Sequence, residues 1–80
     1  MKIRILFYEG FEVVAIEDED RIIESIAKTF KISRELAEDI LYAYTDACIG
    51  IFEDEQILER YPEVCKFLET LTVKKWVMEG

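Results

Sequence analysis

Carboxylates are the reactive groups this chain carries in quantity, and their spacing decides what chemistry it could do. Eighteen Asp and Glu side chains stand against ten Lys and Arg, with no histidine, in 80 residues of net charge −8. Two acidic runs stand out, Glu17-Asp18-Glu19-Asp20 and Glu53-Asp54-Glu55. The pairs Glu35/Asp39 and Glu55/Glu59 are four residues apart, the helical spacing at which two carboxylates could divide general-acid and general-base work. Solvated helix faces commonly show the same spacing. Without histidine the usual base near neutral pH is missing. Nothing brackets Ser25, Ser33, Cys48 or Cys65 as an activated nucleophile. The three glycines, Gly10, Gly50 and Gly80, are too scattered for a phosphate-binding loop. No catalytic residue is nominated, and no enzyme is expected.

Metal chemistry fares no better. Neither acidic run alternates Asp and Asn around a central Gly, as an EF-hand requires. Structural zinc needs four Cys or His ligands, and this chain offers two distant cysteines. No metal and no cofactor is therefore expected. Cys48 and Cys65 both fall within apolar helical stripes, where a buried free thiol is the usual outcome, and a disulfide between them is disfavoured in a reducing compartment.

Two uses remain for the acidic runs. Both sit at predicted helix starts, where carboxylates satisfy backbone amides and oppose the helix dipole for about 0.3–1 kcal/mol each. The second use is docking. A surface of this sign repels nucleic acid phosphates and anionic membranes and attracts basic patches on other proteins. The residues nominated for partner binding are Glu35, Glu38, Asp39 and Tyr42 on one helix, with Glu53, Asp54 and Glu55 beside them. Tyr42 lies off the apolar stripe among acids, so it is expected to be exposed, as an interface aromatic can be.

The elements that position these residues follow from hydrophobic periodicity. Half the residues are apolar, which excludes a disordered acidic tail. Residues 2–8 and 11–17 are β-prone runs joined by Glu9-Gly10, a hairpin signal. That loop pairs Ile3 with Ile16, Ile5 with Val14 and Phe7 with Glu12 on one face, the candidate core. The other face holds Leu6, Tyr8, Phe11 and Val13, a second apolar patch. A helix or the C-terminal segment is expected to cover it; the alternative is a face for a homodimer or another partner.

A first helix is predicted from Glu19 to Phe30. A second, capped by Ser33, runs to Cys48, with Gly50 at its C-terminal cap. A third helical stretch starts near Asp54 and is broken before Pro62, which opens a further helix. Thr72 to Glu79 reads as a closing strand. The fold class predicted is α+β: residues 1–80 form a single compact domain. In it a small antiparallel sheet, made of the N-terminal β-hairpin and the C-terminal strand, is covered by about three helices in ββαααβ order.

The segment from Ile26 to Leu41 (IAKTFKISRELAEDIL) resembles the helix-turn-helix motif of DNA-binding proteins, with an Ile-Ala pair, an apolar residue before the turn and an Ile-Ser start to the next helix. Lys31 stands where that motif commonly carries Gly. The resemblance implies a small DNA-binding regulator. Against it, the would-be reading helix presents Glu35, Glu38 and Asp39, with Arg34 the one base beside them. A duplex carries one negative charge per about 1.7 Å of axis, so an αα-hairpin sharing only the packing is favoured.

The leading expectation is a non-enzymatic, cytoplasmic acidic module that docks on a basic surface of a partner protein. It could act as an inhibitor or regulator occupying a nucleic-acid-binding groove. In size and charge it is similar to small phage-encoded inhibitors and antitoxin-like proteins. No direct nucleic acid contact and no membrane association are expected. A structural or oligomeric subunit built on Leu6, Tyr8, Phe11 and Val13 is the third reading.

Overall fold

The computed structural model describes residues 1–76. The end of the predicted closing strand, residues 77–79, lies outside the described residues. The chain runs β1 (Lys2–Tyr8), β2 (Phe11–Glu17), α1 (Glu19–Phe30), α2 (Arg34–Cys48), α3 (Glu55–Arg60), α4 (Pro62–Leu71) and β3 (Thr72–Trp76). This is an α+β fold with the predicted element order.

Glu9-Gly10 closes the hairpin with Gly10 at φ 82°, a conformation glycine adopts without a Cβ penalty. The register is the one the two-residue loop dictates, from Tyr8–Phe11 at the turn to Lys2–Glu17 at the open end. One part of the expectation needs correction: the sheet is mixed, not wholly antiparallel. Its strand order is β2-β1-β3, and β3 lies parallel to β1, with Ile3 opposite Thr72 and Phe7 opposite Trp76. The cause is where α4 ends. Leu68 and Ile3 share the core cluster, so the chain leaves α4 beside the start of β1 and must run along it in the same direction. Thr72 secures the junction by donating its hydroxyl to the Leu68 carbonyl at 2.8 Å.

The helices bury the Ile3 face of the sheet. Ile3, Ile22, Ile23, Ile26, Ile40, Leu41, Val64 and Leu68 form the core, with Val14 and Ile16 of β2 packed against it. Burying each such side chain contributes about 1.5–3 kcal/mol. The opposite face is not covered by any described helix. Phe11 is 59% exposed, Val13 is exposed beside it, and Val73 is exposed on β3. The expected cover by a helix is therefore corrected; cover by the C-terminal segment falls on residues outside those described.

Helix ends follow local chemistry in most places. The Ser33 hydroxyl accepts from the Leu36 amide at 3.0 Å, a side-chain N-cap. Gly50, at φ 87°, follows α2, and its amide donates to the Ala47 carbonyl at 3.1 Å. Pro62 occupies the first turn of α4. The acidic runs behave otherwise: Asp18 and Asp54 precede α1 and α3 without a side-chain cap bond. Glu19, Asp20 and Glu55 face the helix dipole from the first turns instead. Asp18 and Lys31 are left-handed, at φ 57° and 55°.

Candidate functional site

The charge is divided by layer. Residues 18–71 carry 14 acidic and six basic side chains, whereas Lys2, Arg4, Lys74 and Lys75 belong to the strands. Between Arg34 and Arg60 the chain has eight acidic residues and no basic one. The molecule extends 45 × 24 × 18 Å, several times the screening length of about 8 Å in physiological salt. A charge gathered on one stretch of this surface is therefore felt locally, not averaged over the whole molecule.

That stretch is α2 and the segment leading through α3. Along α2, Glu35, Glu38, Asp39 and Tyr42 recur at the three- and four-residue spacing that shares one helical face. Between this face and α3 lies a groove of about 700 Å³, lined by Asp39, Tyr42, Glu53, Asp54, Gln56, Ile57 and Arg60. Four of the seven residues nominated from sequence thus meet in one place: Asp39, Tyr42, Glu53 and Asp54. Glu38 stands close enough to Tyr42 to bias its ionisation. Glu35 continues the α2 stripe, exposed, and Glu55 is exposed at the start of α3; neither lines the groove. Among the described residues none of the six nominated carboxylates forms an ion pair.

Tyr42 is 39% exposed, as expected, but it is not loose. Its hydroxyl donates to Glu19 Oε2 at 3.1 Å, which ties α2 to the first turn of α1. That bond to a carboxylate raises the phenol's pKa first, with partial burial and the fields of Glu19, Glu38 and Asp20 acting in the same direction. The phenol is held neutral, as a hydrogen-bonded ring in a negative field. Ile51 and Phe52, which precede the acidic run, are exposed by 42% and 59%. The groove therefore combines carboxylates, one anchored aromatic and nearby apolar side chains.

Several groove residues were not nominated from sequence. Ile57 reads as core from its periodicity, and it does pack on the core as well as on the groove. Gln56 and Arg60 carry no distinguishing signal, and Glu19 enters only through a contact between α1 and α2.

The segment resembling a helix-turn-helix folds as two helices joined by a turn in which Lys31 takes the left-handed position, with the Ile32 amide donating to Ala27 at 3.1 Å. Arg34 is engaged by α1: its guanidinium donates to Asp20 at 3.1 Å and to Glu24 at 2.8 Å. The base beside the acidic stripe is thus already matched by two carboxylates.

A second groove, of about 560 Å³, runs between α2, α4 and β3 and is lined by Tyr44, Ala47, Cys48, Leu58, Cys65, Glu69, Thr72 and Lys74. Both cysteines are free and half-buried. Burial pushes both thiols up, so neither is poised as a thiolate at neutral pH. Tyr44 closes this groove. Since the Thr72 hydroxyl proton goes to Leu68, the Tyr44 hydroxyl is the donor in its 2.8 Å bond to Thr72 Oγ1. Among the described residues no group of three or more His, Cys, Asp or Glu is arranged to hold a metal ion. Nor is any described helix long and apolar enough to cross a membrane. Set beside models of protein families, curated proteins and solved structures, the chain matches none.

Proposed function

We propose that this protein is a non-enzymatic acidic binding module that docks its α2–α3 face on a basic surface of a partner protein. The observation that supports this most strongly is the groove itself. Asp39, Glu53 and Asp54 line it with Tyr42, Ile57 and a single base, Arg60, and the chain has no other base after Arg34 up to that point. Among the described residues these carboxylates form no ion pair, although Arg60 lines the same groove, so they are available to an incoming cation. Tyr42, fixed by Glu19, offers a rigid aromatic whose immobilisation costs little on binding. Ile51 and Phe52 extend the contact with apolar area.

The partner surface implied is rich in Arg and Lys, with an apolar element to meet Phe52. Surfaces of that kind are shaped to attract phosphates, so a module seated there would compete with nucleic acid for the same site. This supports reading it as an inhibitor or regulator. Direct duplex binding by α2 is opposed by its own Glu35, Glu38 and Asp39.

The test is reversal of the α2 stripe. A basic protein retained by the wild-type chain in a pull-down is titrated by calorimetry with wild type and with the triple variant Glu35→Lys, Glu38→Lys, Asp39→Lys. Glu35 and Asp39 are exposed and Glu38 is half-buried outside the core cluster, so the fold should persist, and affinity should fall by at least about tenfold. A partner bound equally well by both proteins would sink the proposal. So would a mobility shift of random duplex by the wild type at low salt.

A further inference from the structure

The sheet carries an open edge that the docking proposal does not use. Among the described residues β2 is an edge strand, bonded to β1 on one side alone. Its seven residues pair in unbroken register, without a bulge. FEVVAIE contains no proline or lysine, and its charges are confined to Glu12 and Glu17. The other edge, β3, has five residues among those described and carries Lys74 and Lys75 in its sequence.

The hairpin loop determines which backbone groups point outward from β2. A two-residue loop closes on a hydrogen-bonded pair, Tyr8–Phe11, and such pairs alternate along an antiparallel ladder. The N–H and C=O groups of Phe11, Val13, Ala15 and Glu17 therefore face β1, and those of Glu12, Val14 and Ile16 face out. Among the described residues no backbone hydrogen bond outside the ladder reaches residues 11–17.

We propose that two copies of the chain pair antiparallel through β2, about a twofold axis at Val14, to make one continuous six-stranded sheet. Three observations select the second copy as occupant and this register. First, centring on Val14 places it opposite Val14 of the second copy, and Glu12 opposite Ile16. Those are the residues with outward groups, so about six backbone hydrogen bonds form. Second, in this register no acidic residue faces another. Phe11 meets Glu17 and Val13 meets Ala15, and Glu17 is already neutralised by Arg4 at 2.6 Å. Third, the parity of the register keeps the faces continuous. The apolar patch of Leu6, Tyr8, Phe11 and Val13, which no described helix covers, joins its equivalent across the axis, an isologous contact.

The pairing strip is about 23 Å long, one strand's length, and buries less than the roughly 800 Å² per partner of a tight dimer. The dimer therefore forms reversibly, at high micromolar concentration, and added salt strengthens it by screening the net charge.

Sedimentation over a concentration series and amide exchange by NMR test this. The expected result is a molar mass rising from about one to two chains toward millimolar protein. The amides of Glu12, Val14 and Ile16 should exchange at least about tenfold more slowly at high concentration than at low. Val14→Pro removes an outward amide without touching the bonds to β1, and should leave a folded monomer by circular dichroism. A wild-type chain that stays monomeric at millimolar concentration would overturn the proposal, as would a dimer whose Glu12, Val14 and Ile16 amides stay unprotected. A Val14→Pro protein that is folded and still dimeric would also do so. The sheet edge is remote from the α2 stripe in sequence, so this outcome and that of the charge reversal are read separately.

Discussion

Removing the Tyr44 hydroxyl, in Tyr44→Phe, tests the contact that locks β3 to the helices. Tyr44 donates to Thr72 Oγ1, and Thr72 donates to the Leu68 carbonyl, so α2, the end of α4 and the first residue of β3 share one chain of bonds. Deleting the first donor at neutral pH should cost about 0.5–1.5 kcal/mol, the usual net value of such a bond. The same residue predicts a pH dependence. Burial pushes its pKa from 10.0 to about 12, while the Thr72 hydroxyl, which can turn to donate to a phenolate, offsets part of the rise. A group whose folded pKa exceeds its unfolded value stabilises the fold fully below the unfolded pKa. That contribution drains away as pH climbs from about 10 through about 12. Each pKa unit corresponds to about 1.4 kcal/mol, an upper bound here because Tyr44 is only half-buried; screening reduces the total to about 1 kcal/mol. Urea unfolding of wild type and Tyr44→Phe at neutral pH and at about pH 11.5 isolates the effect, because general alkaline repulsion is common to both proteins. The gap between the two should narrow at high pH. A gap that is constant or grows with pH would refute the argument.

Three further outcomes follow from named contacts. Ser33→Ala removes the cap on the Leu36 amide and should lower stability by about 1 kcal/mol in denaturant unfolding. Leu68→Ala, at a position with no exposure, should cost about 2–5 kcal/mol by the same measurement, because it opens a cavity where α4 meets β1. Cys48 and Cys65 should react with a thiol alkylating agent more slowly than a free cysteine at pH 8, since burial raises both thiols; equal rates would contradict their placement.

Much of the fold was legible because local rules set it. The hairpin register follows from a two-residue loop ending in Gly10, and the helix limits from Ser33, Gly50 and Pro62. The direction of β3 was not legible. Residues 72–76 look alike whether they run with or against β1; what decides is that α4 delivers Thr72 beside Ile3, a contact between residues far apart in sequence. The left-handed Asp18 was hidden for a different reason, since it is not the glycine that usually marks such a position, whereas Lys31 stands where the helix-turn-helix motif commonly carries Gly. In the candidate site, the α2 stripe could be read from helical spacing and the acidic run from composition. Their meeting around one groove could not, because it depends on how α3 packs back on α2, and neither could the bond from Tyr42 to Glu19.

The docking account is tested most directly by the salt dependence of partner affinity, measured by calorimetry on the wild-type chain with and without competing nucleic acid. If Asp39, Glu53, Asp54 and the α2 stripe carry the contact, affinity should fall at least about tenfold between roughly 50 and 500 mM salt, and nucleic acid should displace the protein. An affinity indifferent to salt, with the partner binding nucleic acid and this protein together, would contradict the account.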